Sequence, residues 1–478
     1  MKFANLSISD ILSKFKAREF NSKELVEYYF SRIEKLNPEY NVFLFIRNKQ
    51  ELLEEAGKAD QERMQGSQKK LLGIPFALKD CFMAIGTPTT AGDKFLDGAM
   101  SEYNATIVEK LLEEGAILMG KTNMDSWGFG SSTENSSYGV THNPFNKECV
   151  AGGSSGGSGA AVALDMCTFA IGEDTGGSIR NPASYCGVYG LKPTYGRISR
   201  FGCIAYASSL DSIGPITRNA KDLELLFQIL EGDDEKDMTH VDYEEQRANK
   251  SLKKRFAYSM DFIPEGLNED TKRIYLDTIE KFKSEGYEAV EFKFSSFDVV
   301  IPTYYITAMS EASTNLSRYQ GTRYGKLYEE LKNKKFEDLG IKTWEDLFTK
   351  ARSNGFSNEA KRRILLGAFV LSEGYFDAYY KKAQKIRNYV YEEIKQVLSD
   401  TDFILSPVTP SAALKIGSKI TNPVEMYLED IYTVTANLAG IPALAFPAGL
   451  DKNKMPIGMQ IMGNKGHDER LIDIVCRI

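Results

Sequence analysis

The chain has 478 residues, 42% of them hydrophobic and 26% charged, with a formal net charge of −7. Such a length exceeds one ordinary core, so one large α/β domain with an appended part, or two domains, is expected, and the composition is that of an ordinary globular protein. The negative balance excludes a grip on nucleic acid by bulk charge, and the local basic runs at 253–255 and 332–335 read as solvated faces.

Asn21, with Glu24 three residues on, predicts a capping box, and Leu25, Tyr29, Ile33 and Leu36 follow at helical spacing. Residues 42–46 suit a strand, 49–63 a helix, and 73–79 (GIPFALK) a buried strand closing on Lys79. Residues 106–114 read as a helix and 116–119 as the next strand. That alternation predicts an α/β fold with a mainly parallel sheet and helices on both faces. A helix over about 158–164 and a strand at 169–171 follow, and residues 232–255 turn polar, as a surface excursion would. From 265 to 400 helical patterns dominate, with a charged stretch at 326–345 that reads as an insertion. Strand-like segments return at 403–407 and 443–447, and no internal repeat is present. The expected organisation is a single domain over 1–478. It has an N-terminal helical segment to about 65, a catalytic core from about 66–230 and 400–478, and a helix-rich excursion over about 232–400. The six cysteines (81, 149, 167, 186, 203 and 476) have no CxxC spacing and read as buried small hydrophobes in a reducing compartment. Without an apolar N-terminal segment or a run of ~18 apolar residues, a cytoplasmic protein is expected.

Residues 152–160 read GGSSGGSGA and residues 174–180 read DTGGSIR, which sets Ser154 and Ser178 in glycine-lined turns 24 residues apart. A serine hydroxyl is a poor nucleophile until a base takes its proton. The chain has only three histidines, His142, His240 and His467, and none is well placed; His142 reads as local packing. Lysine serves as the base when burial disfavours its ammonium form, and Lys79 follows an apolar run. The competing reading pairs Lys79 with Asp80 or another carboxylate; the two glycine-serine segments together favour catalysis. Gly176 and Gly177 leave backbone N–H groups unshielded before Ser178, as an oxyanion hole requires. A phosphate cradle is the rival use of such runs, but neither GxxxxGK[ST] nor a strand-linked GxGxxG occurs.

These segments, with 99 residues from Lys79 to Ser178 and 24 between the serines, resemble the amidase signature family. The resemblance implies a large, twisted, mainly parallel mixed sheet sandwiched between helices, with a helix-rich C-terminal part, and a serine–serine–lysine triad with a cis peptide at the first serine. In it Ser178 is the nucleophile, Ser154 relays the proton and Lys79 is the terminal base, held neutral. The backbone amides of Thr175, Gly176, Gly177 and Ser178 form its oxyanion hole, with Ser155 in support. Residues 131–139 (SSTENSSYG), 191–218 and 361–386 are further similar to one branch of that family, the glutaminase subunits of tRNA-dependent amidotransferases, and this likeness runs through nearly the whole chain. That branch hydrolyses glutamine and passes ammonia through a tunnel to a partner. There glutamyl-tRNA(Gln), activated with ATP and magnesium, becomes glutaminyl-tRNA(Gln). The resemblance therefore implies two partner subunits, B and C, and no cofactor in this chain. Glutamine carries two charges that must be paired once desolvated. By resemblance Arg363 takes its carboxylate (Arg362 is the alternative) and Asp430 its ammonium, with Tyr304 and Ser131 alongside. Without the family, Arg363 and Asp430 read as surface charges on helices. Two departures from the family pattern are an end at Ile478 that comes early and a longer 326–345 stretch; neither touches the triad. The rival functions are a stand-alone amidase of the same family, acting on a small amide, and a catalytically silent scaffold in a tRNA-binding assembly. Lys79, Ser154 and Ser178 together argue against the scaffold.

Overall fold

The computed structural model describes residues 2–243, 252–418 and 427–478. The Asn21 box forms as expected. Asn21 accepts the Glu24 N–H at 2.9 Å, and Glu24 accepts the Asn21 N–H at the same distance. Such a cap is worth about 1 kcal/mol. The helix it starts, Ser22–Tyr40, buries the stripe Leu25, Val26, Tyr29 and Ile33.

Among the described residues eleven strands make one sheet: β1 Phe43–Ile46, β2 Pro75–Lys79, β3 Ile117–Thr122, β4 Phe169–Asp174, β5 Tyr189–Lys192, β6 Ser212–Thr217, β7 Arg255–Tyr258, β8 Glu288–Glu291, β9 Phe403–Pro407, β10 Ala443–Leu450 and β11 Pro456–Met462. Their order is β1-β3-β2-β4-β6-β5-β10-β11-β9-β7-β8. Every residue of β2, β3, β4, β6, β9 and β11 is buried. Because successive strand side chains point to opposite faces, this burial means both faces are covered.

The mixed sheet is as expected, but it is not mainly parallel. Among the described residues β2–β3, β2–β4, β7–β8 and β7–β9 run parallel. The other six pairings are antiparallel. The reason lies in the connections, since parallel neighbours need a crossover, usually helical. Helices do alternate with strands up to β4, but no helix separates β5 from β6 or β10 from β11.

The stretch at 265–400 is helical except for β8, a half-exposed EAVE edge strand with no apolar run to announce it. Of the polar 232–255 segment, residues 244–251 lie outside those described, and its last residue opens β7. The charged 326–345 stretch folds over its own small cluster of Leu327, Leu339, Ile341, Leu347 and Ala351. The main core is one continuous cluster from Ile8 to Val475. The six cysteines are unbridged, four of them buried. Among the described residues no helix is long and apolar enough to cross a membrane.

Two features of the sheet place the chemistry. Lys79 is the last residue of β2, and Glu173 and Asp174 close β4. Those strands are parallel neighbours, with Leu78 opposite Ile171, so their carboxyl ends share one edge of the sheet. Crevices outside such ends are where α/β sheets bind ligands.

Candidate active site

Lys79 is fully buried, and its Nζ lies 2.8 Å from Ser154 Oγ. Ser154 follows a cis peptide from Gly153. The Ser155 N–H donates to the Ser178 carbonyl at 3.1 Å, so the two serine loops lie against each other. Lys79 and Ser154 are both 0% exposed, whereas Ser178 is 7% exposed. Of the three, only Ser178 meets solvent, which suits a nucleophile.

The Ser178 loop hangs from Asp174. One carboxylate oxygen of Asp174 accepts the Gly177 N–H at 2.8 Å and the other the Ile179 N–H at 3.1 Å. Arg180 grips the same carboxylate with a two-pronged fork, Nε at 3.1 Å and NH2 at 3.0 Å, both groups being fully buried. Burial works against the charge of Asp174, but Arg180, Lys192 and Asn437 outweigh it and hold the carboxyl down at about 2. Arg180 also donates to the Thr433 carbonyl at 2.9 Å and to Asn437 at 2.7 Å, tying the loop to the Val434–Ala439 helix. Gly177 has φ +133°, and a methyl group there would strike Thr433; one on Gly176 would strike the Tyr304 ring. One expectation changes here. Of the four amides expected at the oxyanion hole, that of Gly177 donates to Asp174 instead.

A second expectation also changes. Burial, the largest influence on Lys79, disfavours its charge, but Glu173 and, more weakly, Cys81 and Cys203 overcome it and raise the lysine above its ordinary value. Glu173 Oε2 lies 2.9 Å from Nζ. Lys79 is thus not kept neutral by burial in the resting site. The competing reading, a pairing of Lys79 with Asp80 or another carboxylate, holds in its second form: the partner is Glu173, while Asp80 faces Lys121 at 3.3 Å.

The expected substrate residues converge. Arg363, 2% exposed, bonds Glu359 at 2.8 Å and the Tyr206 hydroxyl. Its guanidinium sits over the rings of Phe129, Tyr206, Tyr305 and Tyr427 at 5.1–5.8 Å. Asp430 accepts hydrogen bonds from Ser131 at 2.7 Å and from Tyr305 at 2.6 Å. Burial lifts the Asp430 carboxyl to about 6 against those bonds and the pull of Arg363. Both charges are buried, not surface charges as helical spacing alone suggested. Arg362 is the exposed neighbour, its side chain at 45%, and Arg363 is the arginine that lines the site. Tyr304 adjoins Tyr305 on the Phe297–Leu316 helix and touches the Gly176 backbone. Asp430 and Thr433 belong to one turn, so the same turn serves the charged pocket and the serine loop.

Sequence reasoning missed Glu173, Asp125, Tyr206, Tyr305 and Thr433. Glu173 had a usable signal, an acid immediately before DTGGSIR at the end of the apolar run FAIG. Asp125 had none; it accepts the Thr133 N–H at 2.8 Å, and burial lifts it to about 7. His142 is local, with Nδ1 2.6 Å from the Lys147 carbonyl oxygen.

The Amidase family model matches residues 24–472. The chain belongs to the amidase signature family. Among its relatives in that family, the A subunit of glutamyl-tRNA(Gln) amidotransferase from Nitrosococcus oceani is 43% identical over 476 residues, covering 98% of this chain and 96% of the relative. The protein of the same name from Acinetobacter baumannii is 44% identical over 477 residues, covering 98% and 94%. The crystal structure of the corresponding A subunit from Thermotoga maritima superposes with a TM-score of 0.79 at 34% identity, covering 99% of this amidase-family chain and 94% of that one.

Proposed function

We propose that the chain is the glutamine-hydrolysing subunit of a tRNA-dependent amidotransferase. The observation that carries this reading is the pair of buried opposite charges, Arg363 and Asp430, both packed on Tyr305, in the aromatic cluster whose Asp430–Thr433 turn bonds the serine loop at Gly176. A small neutral amide needs neither charge; the α-carboxylate and α-ammonium of glutamine need both. The names borne by its relatives fit the same substrate.

The chemistry is acyl transfer in two steps. Ser178 Oγ attacks the side-chain amide carbon while its proton passes through Ser154 to Lys79, and the oxyanion is met by amides of the Thr175–Ser178 turn. The proton returns to the departing nitrogen, ammonia leaves, and water resolves the glutamyl ester by the same route reversed. Ammonia then passes through a tunnel to a partner, one of two further subunits, B and C, in the cytoplasm. That partner holds glutamyl-tRNA(Gln) and uses ATP and magnesium. This chain needs no cofactor for its own step.

The test pits glutamine against a small neutral amide. Ser178→Ala is expected to abolish hydrolysis of both. Asp430→Asn removes a charge-assisted contact worth about 1.5–3 kcal/mol, so kcat/KM for glutamine is expected to fall about 10- to 100-fold. Neutral-amide hydrolysis is expected to stay within a factor of three. An equal loss on both substrates would make the chain a stand-alone amidase, with Asp430 a structural group.

A further inference from the structure

Lys79 has three ammonium hydrogens and three acceptors around it: Ser154 Oγ at 2.8 Å, the Glu173 carbonyl oxygen at 3.1 Å and Glu173 Oε2 at 2.9 Å. Two of the three belong to one residue, and among the described residues no other carboxylate bonds Nζ. The opposite oxygen of Glu173 accepts from the Thr175 hydroxyl, which also lies 2.8 Å from Asp211 Oδ1. A hydroxyl has one hydrogen and cannot donate to both carboxylates. It therefore donates to one carboxylate at a time and links the two. Burial first, and then the charge of Glu173, push Asp211 up to about 8. Asp211 is fixed in place by the Tyr206 N–H at 3.0 Å and the Ala207 N–H at 2.9 Å. The result is a continuous buried chain from Ser154 through Lys79, Glu173 and Thr175 to Asp211.

A resting ammonium poses a difficulty for the proposed mechanism, because a lysine already carrying its third proton accepts none from Ser154. We infer that Glu173 is the proton partner of Lys79, holding the lysine charged at rest and taking one of its protons to free the amine when the serine relay fires. This rests on the triad reading of Ser178, Ser154 and Lys79.

The step balances. One Nζ–H bond of Lys79 breaks as an O–H bond forms on Glu173 Oε2, leaving a neutral amine beside a neutral carboxyl. Ser178 then gives its proton to Ser154 and Ser154 gives its own to Nζ, as the Ser178 oxygen bonds the amide carbon. The new ammonium stands opposite the oxyanion, returns its proton through Ser154 to the leaving nitrogen, and recovers the first proton from Glu173. No other reactant enters. Glu173 touches Lys79 rather than substrate and is therefore a positioning residue for the proton.

The groups that face this pair are few. Lys79 and Cys81 come from β2 and its exit, Cys203 from the loop before β6, and Asp211 from the residue before that strand. Asp125 faces Lys79 from the turn ahead of the Ser126–Gly128 helical turn, and Arg200 faces Asp211. Neither Asp125 nor Asp211 bonds Nζ; among the described residues Glu173 is the carboxylate that does.

The test is the pH dependence of covalent labelling of Ser178 in the full chain by a sulfonyl fluoride, read by mass spectrometry. The reagent needs an activated serine but no proton on its leaving fluoride, so it isolates the base. Because transfer from Nζ to Glu173 changes no net proton count, wild-type labelling is expected to stay within a factor of three across neutrality. In Glu173→Gln the amine is freed only by losing a proton to solvent, so labelling is expected to become pH-dependent, changing at least tenfold over the range where wild type is level. Glu173→Asp is expected to restore the level profile at least in part. A Glu173→Gln profile that scales in rate but keeps the wild-type shape would overturn the proposal. A variant with native circular dichroism and melting that is not labelled at any pH would overturn it as well. Labelling that persists in Ser178→Ala would instead sink the nucleophile assignment, an outcome distinct from either.

Discussion

At the scale of single residues this protein buries carboxyls in opposite electrostatic states within one site. Asp174 is held at about 2 by its fork to Arg180, against the cost of burial. Asp430 and Asp125 have no such fork and are lifted by burial to about 6 and about 7. The signs follow from which state binds more protons. Asp174 contributes stability, on the order of 2 kcal/mol, above an unfolded value near 4, and that contribution is lost as pH falls through about 2. The raised pair binds protons in the folded chain that the unfolded chain has released, so its effect is a steady loss of stability as pH rises from about 4 to 7. Thermal unfolding followed from pH 3 to 9 is expected to show that decline flattened in Asp125→Asn. Parallel curves for wild type and variant would contradict it. The identities of Lys79, Ser154 and Ser178 were legible in the sequence because glycine runs and a strand-end lysine leave a local pattern. The charge state of Lys79 was not. It depends on Glu173, 94 residues away and brought alongside by the pairing of two strands.

At the scale of elements, the turn from Thr175 to Ser178 is clamped from two sides. The Phe297–Leu316 helix sets Tyr304 against Gly176, and the turn that carries Asp430 and Thr433 sets a hydroxyl against Gly177. Gly177 also has a backbone conformation that L side chains rarely adopt, so neither space nor geometry admits a larger residue there. Gly177→Ala is expected to displace the oxyanion amides and lower kcat about 10²- to 10³-fold, with KM for glutamine changed far less. A loss confined to KM would place the damage in the charged pocket instead. Long apolar strands and capped helices were legible here, since an Asn21 box or a GIPFALK run states its own geometry. The β8 edge strand was not, because its EAVE sequence makes no apolar run and its place comes from pairing with β7.

At the scale of the whole molecule, strand order is what assembles the site. Parallel β2 and β4 bring the lysine and the serine turn to one edge, while the chain returns at 427–439 to close the pocket with Asp430 and Thr433. Helix–strand alternation gave the α/β class correctly, yet it overstated parallel pairing because local pattern does not say which strands will neighbour one another. The charged pocket was legible only through family likeness; a lone arginine and a lone aspartate on helices carry no spacing that joins them across 67 residues. The fold is shared by free amidases and by subunits coupled to tRNA, and what separates the two is that coupling. The most direct measurement is ammonia release from glutamine by this chain, co-purified with its two expected partner subunits. It would be run with and without glutamyl-tRNA(Gln) plus ATP and magnesium, beside a Ser178→Ala control. Release that rises several-fold with the tRNA and vanishes in the control is the expected result. Small-amide hydrolysis by the chain alone, with neither a complex nor glutamine turnover, would contradict it.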